Sequence, residues 1–86
     1  MYAVVVYDVD VSKNRKVLKF LRTRLSWIQN SVFEGKLTES EMREVENRLS
    51  KIADEDDSII IYKMGSKKYV DKSIIGQEKG SADRIV

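Results

Sequence analysis

The chain opens on an apolar run without alternation, Tyr2-Ala3-Val4-Val5-Val6-Tyr7, that ends on Asp8. An unbroken block of β-branched and aromatic residues predicts a central strand buried on both faces. The period then changes. Val17, Leu18, Leu21 and Leu25 recur at helical spacing, with Lys13, Lys16, Lys19 and Arg22 largely turned outward and Ser12 available as the cap. Trp27 to Leu37 returns to strand composition, and Gly35 allows a bulge or turn. The pattern fits one bent strand and two short strands in a hairpin equally well. Thr38 followed by Glu41 is a capping box that starts a second helix, whose apolar stripe is Met42, Val45, Leu49 and Ile52. On its wet side Glu39 with Arg43, and Glu44 with Arg48, are spaced as i,i+4 pairs. The run Asp54-Glu55-Asp56-Asp57 ends that helix in a solvated turn. Ser58 to Met64 is a second continuous apolar strand, Tyr69-Val70 and Ile74-Ile75 are weaker candidates, and Arg84-Ile85-Val86 is a candidate last strand.

Strand, helix, strand region, helix, strand is the βαββαβ plan of a ferredoxin-like α+β sandwich. We place the domain at residues 1–76, with an extra C-terminal strand in a tail at 77–86. Two helices cover only one face of such a sheet, yet Tyr2–Tyr7 and Ile59–Tyr62 are apolar on both. The expected cover is a second copy of the chain, because most soluble oligomers are symmetric and dimers are the commonest.

With 86 residues there is room for one modest core. A net charge of +2 decides little, but its distribution is uneven. Lys13, Arg15, Lys16, Lys19, Arg22 and Arg24 form a block without an acid between them. A one-signed block suits a polyanion, so nucleic acid is a candidate partner; the plainer reading is a solvated helix face. The absence of Cys excludes disulfides and thiolate metal sites, and the absence of His removes the usual base near neutral pH. Any bound metal must be held by oxygen, which favours Mg²⁺, Mn²⁺ or Ca²⁺. Asp8 is suited to that role, because a buried strand fixes the position of a carboxylate at its end. No apolar run reaches the ~18 residues of a membrane span. Met1-Tyr2 leads straight into a strand rather than a signal peptide, so a cytoplasmic protein without membrane contact is expected.

Several segments together resemble a known family. Val6-Tyr7-Asp8-Val9 closes the first strand, Arg15 opens a basic helix, and Gln29-Asn30-Ser31-Val32-Phe33-Glu34-Gly35 follows it. Asp57-Ser58-Ile59-Ile60-Ile61-Tyr62 and Ile75-Gly76 come later, in the same order and at similar spacing. This arrangement is similar to the small CRISPR-associated protein of spacer acquisition, the Cas-two family, and covers residues 1–76. The resemblance implies a ferredoxin-like homodimer in which the C-terminal strand of one subunit pairs with the sheet of the other. It implies a partnership with the larger CRISPR integrase, two dimers of which flank this dimer on a short DNA duplex. It also implies a Mg²⁺-dependent phosphodiesterase activity on RNA or double-stranded DNA, attributed to some members. One departure stands out: Trp27 occupies a position where the family often has a basic residue.

The site residues follow from these readings. Asp8 matches the family's metal aspartate. One carboxylate holds Mg²⁺ (or Mn²⁺) poorly, but two Asp8 side chains across a dimer axis would share an ion, with water completing the shell. The alternative is a strand-end Asp that caps the following turn. Asp10 is either a second ligand or a cap. Arg15 and Lys16, in the first helical turn, and Lys19 beyond them are candidate phosphate ligands. Ser31 and Phe33 are candidates to orient phosphate or base beside the aspartates; their structural alternatives are a turn hydrogen bond and core packing. Without His there is no activated covalent nucleophile of the serine or cysteine type, so hydrolysis would need metal-activated water. Two functions are compatible with all this. One is a subunit that bridges integrase dimers and holds duplex DNA; the other is a stand-alone metal-dependent endonuclease acting on RNA or DNA.

Overall fold

A computed structural model describes residues 1–66 and 69–77. The elements run β1 (Tyr2–Asp8), α1 (Val11–Arg22), β2 (Ser26–Gln29), β3 (Val32–Lys36), α2 (Glu39–Ile52), β4 (Ser58–Ser66) and β5 (Tyr69–Gly76). They form a five-stranded sheet in the order β2-β3-β1-β4-β5, in which every neighbouring pair is antiparallel. The first four strands and two helices give the expected ferredoxin-like plan, and β5 adds a strand at its edge.

The two long apolar strands sit in the middle, where side chains meet neighbours on both sides. Along β1 burial alternates. Ala3, Val5 and Tyr7 lie under the helices, while Tyr2, Val4 and Val6 are only half-buried on the other face. Ile59 and Ile61 of β4 join the covered face opposite Tyr7 and Val5. Phe33 from β3, Val17 and Leu21 from α1, and Met42, Val45 and Leu49 from α2 complete the core. The expectation that β1 is buried on both faces therefore holds for one face only within a single chain. Val4, Val6, Ile60, Tyr62 and Met64 line an open face, and Ile74 on the same side is 40% exposed.

Three local readings are decided by the fold. The Trp27–Leu37 region is a hairpin, and its turn is made by Asn30, which adopts φ 43°, rather than by Gly35. Asn tolerates this left-handed conformation better than most residues, because its short polar side chain can bond locally. Gly35 instead lies within β3 against Leu25, opposite Ala3. Of the two cap candidates, Asp10 caps α1 and Ser12 is its donor: the Asp10 carboxylate accepts from the Ser12 backbone N–H at 3.0 Å and from Ser12 Oγ at 2.5 Å. Finally, the two weak candidates Tyr69-Val70 and Ile74-Ile75 are one strand. β5 pairs with β4 of the same chain, with Ile75 opposite Ile59 and Ile74 opposite Ile60.

The capping box of α2 forms as expected. Glu41 N–H donates to Thr38 Oγ1 at 3.1 Å, and Thr38 N–H donates to Glu41 Oε1 at 2.8 Å. Within the described residues no helix is long and apolar enough to cross a membrane. Residues 78–86, and with them Arg84-Ile85-Val86 and the expected strand exchange of the tail at 77–86, lie outside the described residues.

Candidate functional site

Asp8 ends β1 directly opposite Ser58, the first residue of β4. By the alternation of the strand it shares the open face with Val4 and Val6, and it is exposed. The strand's buried residues fix this carboxylate at the rim of the uncovered apolar surface. Among the described residues no three acidic side chains gather into a metal site. Among the described residues Asp8 is thus one oxygen donor without a carboxylate cluster around it, and a second copy of the chain is one source of a further donor.

Asp10 is committed elsewhere. Its side chain caps α1, and the Ser12 hydrogen bonds lower its pKa. Its backbone N–H donates to Asp57 Oδ1 at 2.9 Å. Asp57, read from sequence as part of a solvated acidic turn, is in fact buried at 3% exposure. Its Oδ2 accepts from Asp54 N–H at 2.8 Å and from Lys13 Nζ at 2.5 Å. The Asp54 N–H, the Lys13 ammonium and the Asp10 N–H together hold the Asp57 carboxyl at a pKa of about 2. Lys13 also reaches Asp54 at 2.6 Å, and the two carboxylates raise its pKa. The Asp57 carbonyl in turn accepts from Gln77 N–H at 2.8 Å. One residue thus joins the β1–α1 turn, the α2–β4 turn and the end of β5. The signal in the sequence was slight: an acid immediately before a buried strand is more constrained than the three acids ahead of it.

Ser31 and Phe33 are brought to β1, one by the backbone and one by packing. Tyr7 N–H donates to the Ser31 carbonyl at 3.0 Å. Burial pushes the Tyr7 phenol up in pKa, with a Ser31 hydrogen bond and the Arg22 charge pulling the other way. Phe33 is fully buried, its ring stacked on Tyr7 at 6.2 Å between centroids. A ring with no exposed surface does not touch a phosphate or a base, so Phe33 supports this end of the sheet by packing under Tyr7.

The basic block is divided by the fold. Lys13 is held by Asp54 and Asp57, and Arg24 pairs with Glu44 of α2. That pair takes the Glu44 carboxylate expected to meet Arg48, which instead lies over the Phe20 ring at 5.2 Å. Arg15, Lys16, Lys19 and Arg22 are exposed, and among the described residues none of them is in an ion pair. They separate into two stripes. Lys16 and Lys19 border the groove between α1 and α2, and Arg15 and Arg22 border the groove between α1 and the β2–β3 hairpin. The second groove also contains Tyr7 and Trp27, neither of which the sequence had assigned to a site.

The model of the family described as CRISPR associated protein Cas2 matches residues 1–72. The CRISPR-associated endoribonuclease Cas2 of Pyrococcus furiosus is 48% identical, with all of both chains covered. That of Methanothermobacter thermautotrophicus is 45% identical over 100% of this chain and 96% of its own. A crystal structure of Cas2 superimposes with TM-score 0.75 at 44% identity, covering 100% of this chain and 98% of that one. Streptococcus pyogenes Cas2, crystallised at pH 6.5, gives 0.69 at 35% identity over 78% of this chain and 89% of its own. With the family pattern spanning most of the sequence and the same fold in solved relatives, the chain belongs to the CRISPR-associated Cas2 family.

Proposed function

We propose that this chain acts in CRISPR spacer acquisition as a homodimer that bridges integrase dimers and holds duplex DNA, with a metal-dependent phosphodiesterase activity centred on Asp8. The observation that carries this reading is the open sheet face that ends at Asp8. Val4, Val6, Ile60, Tyr62 and Met64 form a contiguous apolar surface of the kind that a partner normally covers. A two-fold axis over that face would bring two rim carboxylates together, so that the pair could share one ion. The exposed cations of α1 point away from that face and remain available to the phosphate backbone.

A Mg²⁺ or Mn²⁺ ion held by the two Asp8 carboxylates would lower the pKa of a bound water and offset charge on a phosphate. The chain's own contribution is to fix Asp8 at the strand end. The names of the relatives favour an RNA substrate for the second reading, a stand-alone endonuclease.

Two measurements test the proposal. Sedimentation at micromolar concentration is expected to give twice the chain mass; a stable, folded monomer would overturn the shared site. Asp8→Asn keeps the shape and removes one negative charge per subunit. Cleavage should then fall by at least ~100-fold, about 2.7 kcal/mol in barrier height, with DNA binding retained. Cleavage by the variant at the wild-type rate would remove Asp8 from the chemistry. If neither protein cuts with any divalent ion, and both still support integrase assembly on duplex DNA, the bridging role stands alone.

A further inference from the structure

The groove between α1 and the β2–β3 hairpin has a volume of about 490 Å³, within the range of small-ligand sites. Arg15, Leu18 and Arg22 form one wall, from successive turns of the same helix face. Trp27 and Asn30 of the hairpin form the other, Tyr7 also lines the groove, and among the described residues no carboxylate does. The groove is therefore cationic and aromatic.

Trp27 is unusual on two counts. It is 54% exposed, although a large apolar ring is normally buried. It is also held in place: the indole N–H donates to the Asn30 carbonyl at 2.9 Å, across a turn that Asn30 sets with its positive φ. The polar edge of the ring is thus satisfied within the hairpin, and what remains is an apolar face at fixed orientation. Trp27 pairs with Phe33, which pairs with Val5, so it stands on the helix side of the sheet. The open face that ends at Asp8 is the opposite one. A dimer closed over the open face leaves Trp27 uncovered.

We propose that this groove holds one unpaired nucleotide of a bound nucleic acid, its base stacked on the Trp27 indole and its phosphate held by Arg15 and Arg22. An exposed indole face beside two guanidiniums that form no ion pair among the described residues matches the two parts of a nucleotide, a π-face and an anion, and single-strand sites combine the same two elements. A fully paired duplex offers phosphates but no free base face, so it uses only the arginines. The inference rests on the chain being a nucleic-acid-binding protein and refines that reading to a preference for duplexes with unpaired ends. The groove is next to the candidate reaction site: Tyr7 lines it, and Asp8 follows Tyr7 on the opposite face of the strand. An unpaired strand seated on Trp27 would leave the duplex at the end of the sheet that carries Asp8.

Trp27 is the single tryptophan of the chain, so its fluorescence reports on this groove alone. Three ligands with one labelled duplex sequence separate the contributions: a blunt duplex, the same duplex with a short oligothymidine tail, and the same duplex with a tail of abasic sugars. The thymidine tail is expected to quench Trp27 and to tighten binding, measured by anisotropy of the label, about five-fold or more over the blunt duplex. The abasic tail should do neither. Trp27→Ala should abolish the advantage of the thymidine tail, Trp27→Phe should retain part of it, and Arg15→Ala with Arg22→Ala should reduce it. Equal quenching by the abasic tail, or an undiminished advantage in Trp27→Ala, would overturn the proposal. If the blunt duplex binds and the thymidine tail adds nothing, only the groove assignment falls; if no duplex binds at all, the nucleic-acid reading falls with it.

Discussion

Asp8 and Asp57 lie at the same end of the same strand pair. Asp8 faces Ser58 across the β1–β4 ladder, and Asp57 is the residue just before Ser58. Their surroundings are opposite. Asp57 is buried and accepts from two backbone N–H groups and an ammonium, whereas Asp8 is exposed at the rim of an open apolar face. A carboxylate whose oxygens are filled by its own chain is a structural joint, since its binding capacity is already used. A carboxylate that a buried strand carries to the rim of an uncovered face stands where a second chain or a ligand can reach it. The comparison assigns the two aspartates different work, and it also orders the substitutions that probe it.

The largest stability effect is expected at Asp57. Asp57→Asn leaves the Lys13 ammonium without its buried partner and weakens the bonds to two turns at once. Breaking a buried pair in this way costs on the order of 3 kcal/mol, so the thermal midpoint should fall by roughly 10 °C or more. Asp8→Asn, at an exposed position, should cost less than about 1 kcal/mol. Thermal unfolding of the two variants side by side checks the difference, and similar losses for both would break the comparison. The acid limb adds a second test. The folded pKa of Asp57, about 2, lies below the unfolded value near 3.9, so its contribution is complete above about pH 4. That contribution is lost as pH falls through 2. The wild-type protein should therefore lose its advantage over Asp57→Asn across that window, whereas an advantage that stays constant down to pH 2 would place the effect elsewhere.

A smaller loss is expected from the third side of the same joint. Gly76 adopts φ 89°, and a Cβ there would collide with the Asp57 carbonyl. Gly76→Ala should cost about 1–3 kcal/mol through backbone strain. It should also weaken the Gln77 N–H bond to that carbonyl, which amide exchange at Gln77 would report. A variant as stable as wild type, with Gln77 still protected, would mean that the end of β5 adjusts freely and that Asp57 does not govern it.

What was legible in the sequence divides along the same line. The capping box Thr38–Glu41 and the stripe of α2 are local patterns, complete within a few residues, and they form as expected. The two central strands declared themselves by uninterrupted apolar runs, and the shortage of helices already implied an uncovered sheet face. Asp8 was legible because strand and carboxylate are contiguous. Asp57 was barely legible: its donors include Lys13, 44 residues away, and the Asp10 backbone, 47 away, and the one local mark is its place just before a buried strand. The choice between a bent strand and a hairpin stayed open because the glycine is not the turn residue; Asn30 adopts the positive φ. Strand β5 was read in two pieces because Asp71-Lys72-Ser73 interrupts its apolar residues, yet backbone pairing to β4 continues across them. Trp27 looked like a mere departure from the family's basic position; only the fold shows that the ring faces Arg15 and Arg22 across a groove.

The smallest predicted effect extends the comparison from acids to bases. Lys16, Lys19 and Arg24 carry the same charge on one helix and its exit, so replacing any one of them by Gln changes the net charge equally. They differ in employment. Arg24 is paired with Glu44, while Lys16 and Lys19 are in no ion pair among the described residues. A cation already matched by a carboxylate displaces few counterions from DNA; an unmatched one that meets a phosphate displaces nearly one. If α1 contacts duplex backbone, the slope of log affinity against log salt should shrink by about 0.9 for each of Lys16→Gln and Lys19→Gln that removes a phosphate contact. Arg24→Gln should leave the slope close to wild type. Equal changes for all three would mean that only net charge matters, and that the division of the basic block by the fold has no bearing on binding. No change for any would move the duplex off this helix face, leaving Arg15 and Arg22 on the other stripe as the cations to examine.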